Sequence, residues 1–337
     1  MNFLNKLVLR DRVVHFLALG LLGVVVILRI IKPEFDRVGV NSISDNGNSF
    51  RSSTNTTITT TNDNDRVEEK EVQRQEIIEE VNCDTISSIE PINIGQMNEP
   101  NTSYYVSFSW WDKRLSRPQF KNRKIGRSNG SVGKIHQLLL QMPTTDYAFI
   151  DVGANVGFMT HLALSLQHPV YAIDPISYNI AKICEGYQAN VVKGWIIDNN
   201  NNNSSILHLF HAAAGPTYDA NITITRPSDE IGKFDQSSLS RTFIKQKHVV
   251  NETIPLLTID SIIPENTKVG VVKVDVQGHE YGVFQGMTKL LSRTKNPIKY
   301  IFYEDSFDTQ GVSKKLLEEK FNYTCTREDI NDIICFK

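Results

Sequence analysis

The sequence predicts an α/β fold, a mostly parallel sheet with helices on both faces, and three stretches carry that expectation. Tyr147 to Ile150 form an apolar run that stops at Asp151. A turn containing Gly153 and Gly157 follows, and then Phe158, Met159, Leu162, Ala163 and Leu166 fall at helical spacing before Pro169. Val170 to Ile173 repeat the pattern, stopping at Asp174, with a helix over Ile180 to Tyr187 after it. Val269 to Val274 stop at Asp275, a helix carries Phe284, Met287, Leu290 and Leu291, and Ile298 to Tyr303 end at Glu304 and Asp305. Continuous apolar runs alternating with helical periods are the mark of parallel strands buried on both faces.

Ahead of that region the chain divides by composition. Val13 to Leu28 are apolar except for His15, and the run extends to Ile31 past Arg29. As a helix it measures about 28 Å, enough to cross a bilayer. The expected layout is a cytosolic tail over 1–12, an uncleaved transmembrane signal anchor over 13–31 and a low-complexity stem over 32–100. Lys6, Arg10 and Arg12 before the span balance Arg29, Lys32 and Arg37 after it, so flanking charge sets no orientation. Sequons at Asn55, Asn101, Asn129, Asn202, Asn203, Asn221, Asn251 and Asn322 favour a single-pass type II protein whose C-terminal body lies in the Golgi or ER lumen. The stem is rich in Ser, Thr, Asn and Asp, a composition too poor in apolar surface to fold.

The globular body is expected over 101–337, where Tyr104, Tyr105, Trp110 and Trp111 bring aromatics back as domain-edge packing or as a sugar floor. Ile135, Leu138, Leu139 and Met142 share one helix face ahead of the first strand. Ile206 to Phe210 read as a strand running into Ala212, Ala213, Ala214 and Gly215, and Asn221 to Thr225 alternate like a strand of an antiparallel insertion. Asp260 reads as a helix cap. The net charge of −2 over 337 residues points to no nucleic-acid partner. Cys83, Cys184, Cys325 and Cys335 show no C-x-x-C and no zinc spacing. Cys325 and Cys335 lie in two runs that could pair as a terminal hairpin. There they are either disulfide-bonded in an oxidising compartment or two separately buried thiols.

Acids at the C-terminal ends of neighbouring parallel strands place a site on that rim of the sheet. The first loop reads G-x-x-x-G, with Asn155 where a dinucleotide fingerprint requires glycine. A cofactor without a pyrophosphate suits it better, and Asp151 leading into the loop suits the cationic amino group of S-adenosylmethionine. Asp174, followed by Pro175, stands where a ribose is held by its hydroxyls, or else caps a helix. The small Ala213 leaves room for an adenine or for a neighbouring helix. Asp275, His279, Glu280 and Glu304 converge on the same rim as candidate chemical groups.

The order D-V-G-A-N-V-G (151–157), I-D-P (173–175), L-T-I-D (257–260), K-V-D-V-Q-G-H-E (273–280) and F-Y-E (302–304) resembles the FkbM family of S-adenosylmethionine-dependent methyltransferases over about 149–305. The resemblance implies a class I methyltransferase fold, a Rossmann-like, seven-stranded, mostly parallel sheet, and methyl transfer to hydroxyl groups, often on sugars. Carried over residue by residue, it implies cofactor contacts at Asp151, Gly153, Asn155, Gly157 and Asp174, with Ala154 and Pro175 inside the same motifs as further candidates. The Asn-rich loop at 199–203 departs from the family pattern, so Ala213 is a cofactor-binding candidate by its small size and not by the resemblance. It also places Asp275, Gly278, His279 and Glu280 beside the transferred methyl group.

A hydroxyl is a poor nucleophile until a base accepts its proton. His279, neutral near pH 7, is the first candidate and Asp275 its rival, with Glu280 and Glu304 close in sequence to the same rim. A divalent metal at Asp275 and Glu304 is chemically reasonable, although no ligand spacing indicates one. The acceptor expected is a glycan or a small hydroxylated molecule. A type II Golgi glycosyltransferase shares the anchor and stem, but its D-x-D clasp occurs here only as Asp63-Asn64-Asp65 in the stem. A catalytically silent, membrane-tethered cofactor-binding protein is the non-enzymatic alternative.

Overall fold

The computed structural model describes residues 79–86, 94–99, 101–108, 131–143, 146–196, 206–227, 249–306, 308 and 310–337, together with the backbone of strands within 3–30. Two units arise, Met1–Val72 and Gln73–Lys337. In the first, β1 (Phe3–Leu9), β2 (Arg12–Ala18) and β3 (Val26–Ile30) pair antiparallel in that order.

This corrects the expected transmembrane helix over 13–31. Among the described residues no helix is long and apolar enough to cross a membrane. The single-pass type II placement in the Golgi or ER lumen rested on that helix and falls with it. The run is rich in Val and Ile, residues that suit a pleated surface, and an apolar run carries no period that separates helix from strand. Most of the stem expected over 32–100, including the D-x-D at 63–65, lies outside the described residues.

The second unit begins earlier than residue 101, where the aromatics return. β4 (Ile94–Glu99) and β5 (Thr102–Ser107) form an antiparallel hairpin, and Cys83, in a short helical turn (Cys83–Thr85), is disulfide-bonded to Cys184. Tyr104 is fully buried and Tyr105 stacks on Trp195 at 4.6 Å, so both pack the body; Trp110 and Trp111 lie outside the described residues.

From there the chain runs through α1 (Ser131–Leu140), β6 (Ala148–Val152), α2 (Phe158–Ser165), β7 (Val170–Asp174), α3 (Ser177–Val192) and β8 (Leu207–His211). β9 (Ala213–Ala214), β10 (Asp219–Pro227) and β11 (Val249–Leu257) form a separate small sheet of order β10-β11-β9, which contains the expected antiparallel insertion. The chain then returns through α4 (Ile259–Ile262), β12 (Val269–Val274), α5 (Glu280–Gln285), α6 (Thr288–Leu291) and β13 (Tyr300–Glu304). It ends in α7 (Val312–Lys315), a wider helical turn over Leu316–Lys320, and the hairpin β14 (Thr324–Arg327) and β15 (Asp332–Phe336).

The central sheet has seven strands in the order β14-β15-β13-β12-β6-β7-β8. All neighbours from β8 to β13 are parallel, and β15 runs antiparallel to both β13 and β14. Alternation along each strand divides the core. Phe149, Ala172, Leu209, Val271 and Phe302 pack toward α1, α2 and the β4–β5 hairpin. Ile150, Ile173, Val272 and Ile301 pack toward α4, α5 and α6. Helices thus cover both faces, as the continuous apolar runs require. Cys325 and Cys335 face each other in the β14–β15 register and are bonded, so all four cysteines are paired. Asp260 is a cap, but of a different helix than its own: its carboxylate accepts from the backbone N–H of Lys289 and Leu290 at the start of α6.

Candidate active site

Strand order reverses at β6, which lies between β7 and β12, and the crevice beyond the C-terminal ends of such strands is where open α/β sheets take ligands. A cleft of about 440 Å³ opens there. At one end it is lined by Gly153, Asn155, Asp174, Pro175, Asn179 and Ala213, and at the other by Asp275, Gln277, His279, Glu304, Asn331 and Asp332, with Lys273 between them.

The loop after β6 is drawn onto β7 rather than left open. The N–H groups of Gly153 and Ala154 both donate to the Ile173 carbonyl, and the Asn155 N–H donates to Asp174 Oδ2 at 2.7 Å. Gly153 has φ +77°, and a Cβ on it would overlap the Asp275 carbonyl oxygen, so only glycine fits between the two loops. Gly157, at φ +82°, precedes α2 and packs on Ile183 and His161; Ala154 is buried behind the loop. Gly157 and Ala154 therefore shape the loop from outside the cleft lining.

Asp174 ends β7 with both oxygens engaged. Oδ1 accepts from the Ile176 N–H and from Asn179 Nδ2, each at 2.9 Å, and Oδ2 accepts from Asn155. Burial nonetheless pushes its pKa up to about 7, against the pull of those three donors and of Lys273.

Asp151 is not brought to the cleft. It is completely buried, with Oδ2 accepting from Thr160 Oγ1 at 2.7 Å and Oδ1 from Lys273 Nζ at 3.1 Å. Lys273 also donates to the Gly153 carbonyl at 2.8 Å. Burial opposes its charge, yet Asp151, Asp275 and Asp174 together raise its pKa above the ordinary lysine value.

At the other end, Gln277 Nε2 donates to Asp275 Oδ1 at 2.9 Å and to Glu304 Oε2 at 2.7 Å, joining the two carboxylates. Burial, and then the charge of Asp275, push Glu304 up to about 7. Gln277 (φ +53°) and Gly278 (φ +98°) form a left-handed turn held by Glu280, whose Oε1 accepts from the N–H groups of Val276 and Gly278, both at 3.1 Å. Glu280, expected among the chemical groups, is buried as the clasp of this turn. His279 lines the cleft, but its Nε2 is buried against Gly282 without a hydrogen-bond partner among the described residues, and burial lowers its pKa. Ala213 and its neighbours leave room for β11, with which β9 pairs, and they also line the cleft. Among the described residues no group of three or more His, Cys, Asp or Glu side chains is placed to hold a metal ion.

Lys273, Gln277, Asn179, Asn331 and Asp332 were not singled out from the sequence. A lone lysine in a strand buried on both faces signals a buried partner, and that clue was present for Lys273. Asn331 and Asp332 carried no local sign, since they reach the cleft only through the reversed β15.

No curated protein matches the sequence. Among solved structures, a Clostridium thermocellum protein described as an rRNA-methylase matches with TM-score 0.33 and 12% identity, over 61% of this chain and 93% of that one. Monomeric WbdD matches with TM-score 0.33 and 12% identity, over 66% and 44%. The Thermus thermophilus 16S rRNA N2 G1207 methyltransferase RsmC matches with TM-score 0.28 and 9% identity, over 73% and 45%. The model of the methyltransferase FkbM domain matches residues 151–325, from the acid that ends β6 to the first cysteine of the terminal hairpin. With more than half of its length matched, and with the loop, the acid ending β7 and the β12 turn all inside the match, the chain belongs to the FkbM methyltransferase family.

Proposed function

We propose that the chain is an S-adenosylmethionine-dependent O-methyltransferase acting on a hydroxyl group of a glycan or a small hydroxylated acceptor. The observation that carries this reading is one cleft with Asp174 at its first end and the Asp275–Gln277–Glu304 array at its second.

The donor chemistry of the first end fits the cofactor. The Gly153 and Ala154 N–H groups, which an open loop would offer to phosphate, are already bonded to Ile173, so the loop is poor for a pyrophosphate. Asp174 presents a carboxylate to ribose hydroxyls, and Ala212, Ala213 and Ala214 leave space for a flat ring. The bound cofactor supplies a methyl group already activated on a sulfonium. What remains for the protein is to align the acceptor oxygen and take its proton.

The second end suits both tasks. Glu304, pushed up to about 7 by burial and then by the charge of Asp275, accepts a proton at neutral pH, and taking it relieves the repulsion between the two carboxylates. Gln277 keeps the two carboxylates at a fixed spacing. The hydroxyl proton of an acceptor held here would pass to Glu304, while the cofactor would supply the methyl group. His279, held neutral by burial, lines the same wall and orients the acceptor.

The test is calorimetric and radiochemical. S-adenosylhomocysteine should bind and raise the melting temperature while a sugar nucleotide does not. Labelled methyl should appear on a hydroxylated acceptor, and not with Asp174→Ala. A protein stabilised only by the sugar nucleotide would overturn the reading.

A further inference from the structure

Asp174 is held by three N–H donors, of which two are backbone groups fixed by the path of the chain. The third is the amide of Asn179, in the first turn of α3. The Asn179 NH2 faces Asp174, the arrangement that favours its ionised form, and the amide Oδ1 points away. That oxygen is buried and has no hydrogen-bond partner among the described residues, in a residue only 2% exposed that lines the cleft. An unmatched buried acceptor costs stability, and leucine, of nearly the same size, would avoid that cost. Among the described residues, the bond that favours an amide here is the bond to Asp174.

We infer that Asn179 is a positioning residue for cofactor binding, holding the Asp174 carboxylate ionised and turned toward the ribose end of the cleft. This rests on the cofactor reading above. Burial works against the ionised form, and the three donors work for it. The charged and titratable groups around Asp174 come from three strands. β12 gives Lys273, which is paired to Asp151 of β6, and also Asp275 just beyond the strand. β8 gives His211, opposite Asp174 in the register. None of these is altered by a change at position 179, so a comparison with wild type isolates the amide.

The experiment is titration calorimetry of S-adenosylhomocysteine against the full chain, the Asn179→Leu and Asn179→Ala variants, and Asp174→Asn with and without Asn179→Leu, from pH 6 to pH 9. Losing the amide removes a donor to the ionised form and moves the Asp174 titration upward, so Asn179→Leu should bind several-fold more weakly than wild type near pH 7, with the difference closing by about pH 9. The ligand's own titration is common to every variant. The melting temperature of Asn179→Leu should not fall, and Asn179→Leu should add no further loss in the Asp174→Asn background. Asn179→Ala gives the same pH signature if leucine does not fit.

A loss of affinity equal at every pH, additivity with Asp174→Asn, or binding indistinguishable from wild type overturns the inference alone. Wild-type protein that binds no S-adenosylhomocysteine overturns the cofactor reading and this inference with it.

Discussion

Lys273 of β12 and Asp151 of β6 stand opposite each other in the strand register, with Nζ 3.1 Å from Oδ1 beneath the cleft floor. The pair ties the two central strands to the glycine loop through the second bond of Lys273, to the Gly153 carbonyl. Lys273→Met should leave Asp151 as an uncompensated buried charge and cost about 3–5 kcal/mol, measured by urea unfolding. Adding Asp151→Asn should recover much of the loss.

Gly153→Ala adds a methyl group where the Asp275 carbonyl already stands, on a backbone at φ +77°. The substitution should destabilise by about 2–4 kcal/mol from overlap and strain together. It should also abolish the thermal shift with S-adenosylhomocysteine. A wild-type melting temperature for this variant would mean the two loops stand farther apart than described.

Asp174 and Glu304 both have folded-state pKa values raised to about 7, from ordinary values of 3.8 and 4.5. Between those limits the native state binds more protons than the unfolded chain, so stability from these groups falls as pH rises and levels off above about 7. The melting temperature should decline from pH 5 to pH 8, and Asp174→Asn should flatten part of that slope. Differential scanning calorimetry across the range checks it.

Glu304→Gln keeps the size of the side chain but cannot accept a proton. Turnover should drop by about 10²-fold or more while S-adenosylhomocysteine affinity stays within about twofold. His279→Ala should slow turnover at least about tenfold, through lost orientation, and also leave cofactor affinity nearly intact. Single-turnover methyl transfer beside binding measurements separates the two roles, and a larger loss at His279 would make the imidazole the base.

Cys83 and Cys184 are 101 residues apart in sequence, Cys325 and Cys335 only 10. By loop-closure entropy the first crosslink contributes about 4–5 kcal/mol and the second about 3. Cys83→Ala with Cys184→Ala should therefore lower the melting temperature more than the terminal pair does. Non-reducing peptide mapping should recover both linked peptides.

Much of the sheet was legible because parallel strands covered on both faces leave uninterrupted apolar runs, as at Val170 to Ile173 and Val269 to Val274. The acids ending β7, β12 and β13 could be read as one rim for the same reason. Asp151 could not be placed, because whether a strand-end side chain faces ligand or core depends on its partner in the next strand, and that partner is Lys273. The clasp role of Glu280 was not legible, because its spacing from Val276 and Gly278 suits a clasp only once the chain turns left-handed at Gln277. The apolar stretch over 13–31 misled on a different ground: hydrophobicity measures a preference for leaving water and does not say which backbone conformation achieves it.

The absent side chain of Gly153 has a wider consequence. The segment that would receive a nucleoside and the segment that would confront the acceptor touch backbone to backbone, with no compressible layer between them. Neither can be lengthened, shifted or retuned by itself. A lineage adapting this scaffold to a new acceptor would have to make its changes elsewhere in the cleft wall, such as the stretch that carries Asn331 and Asp332.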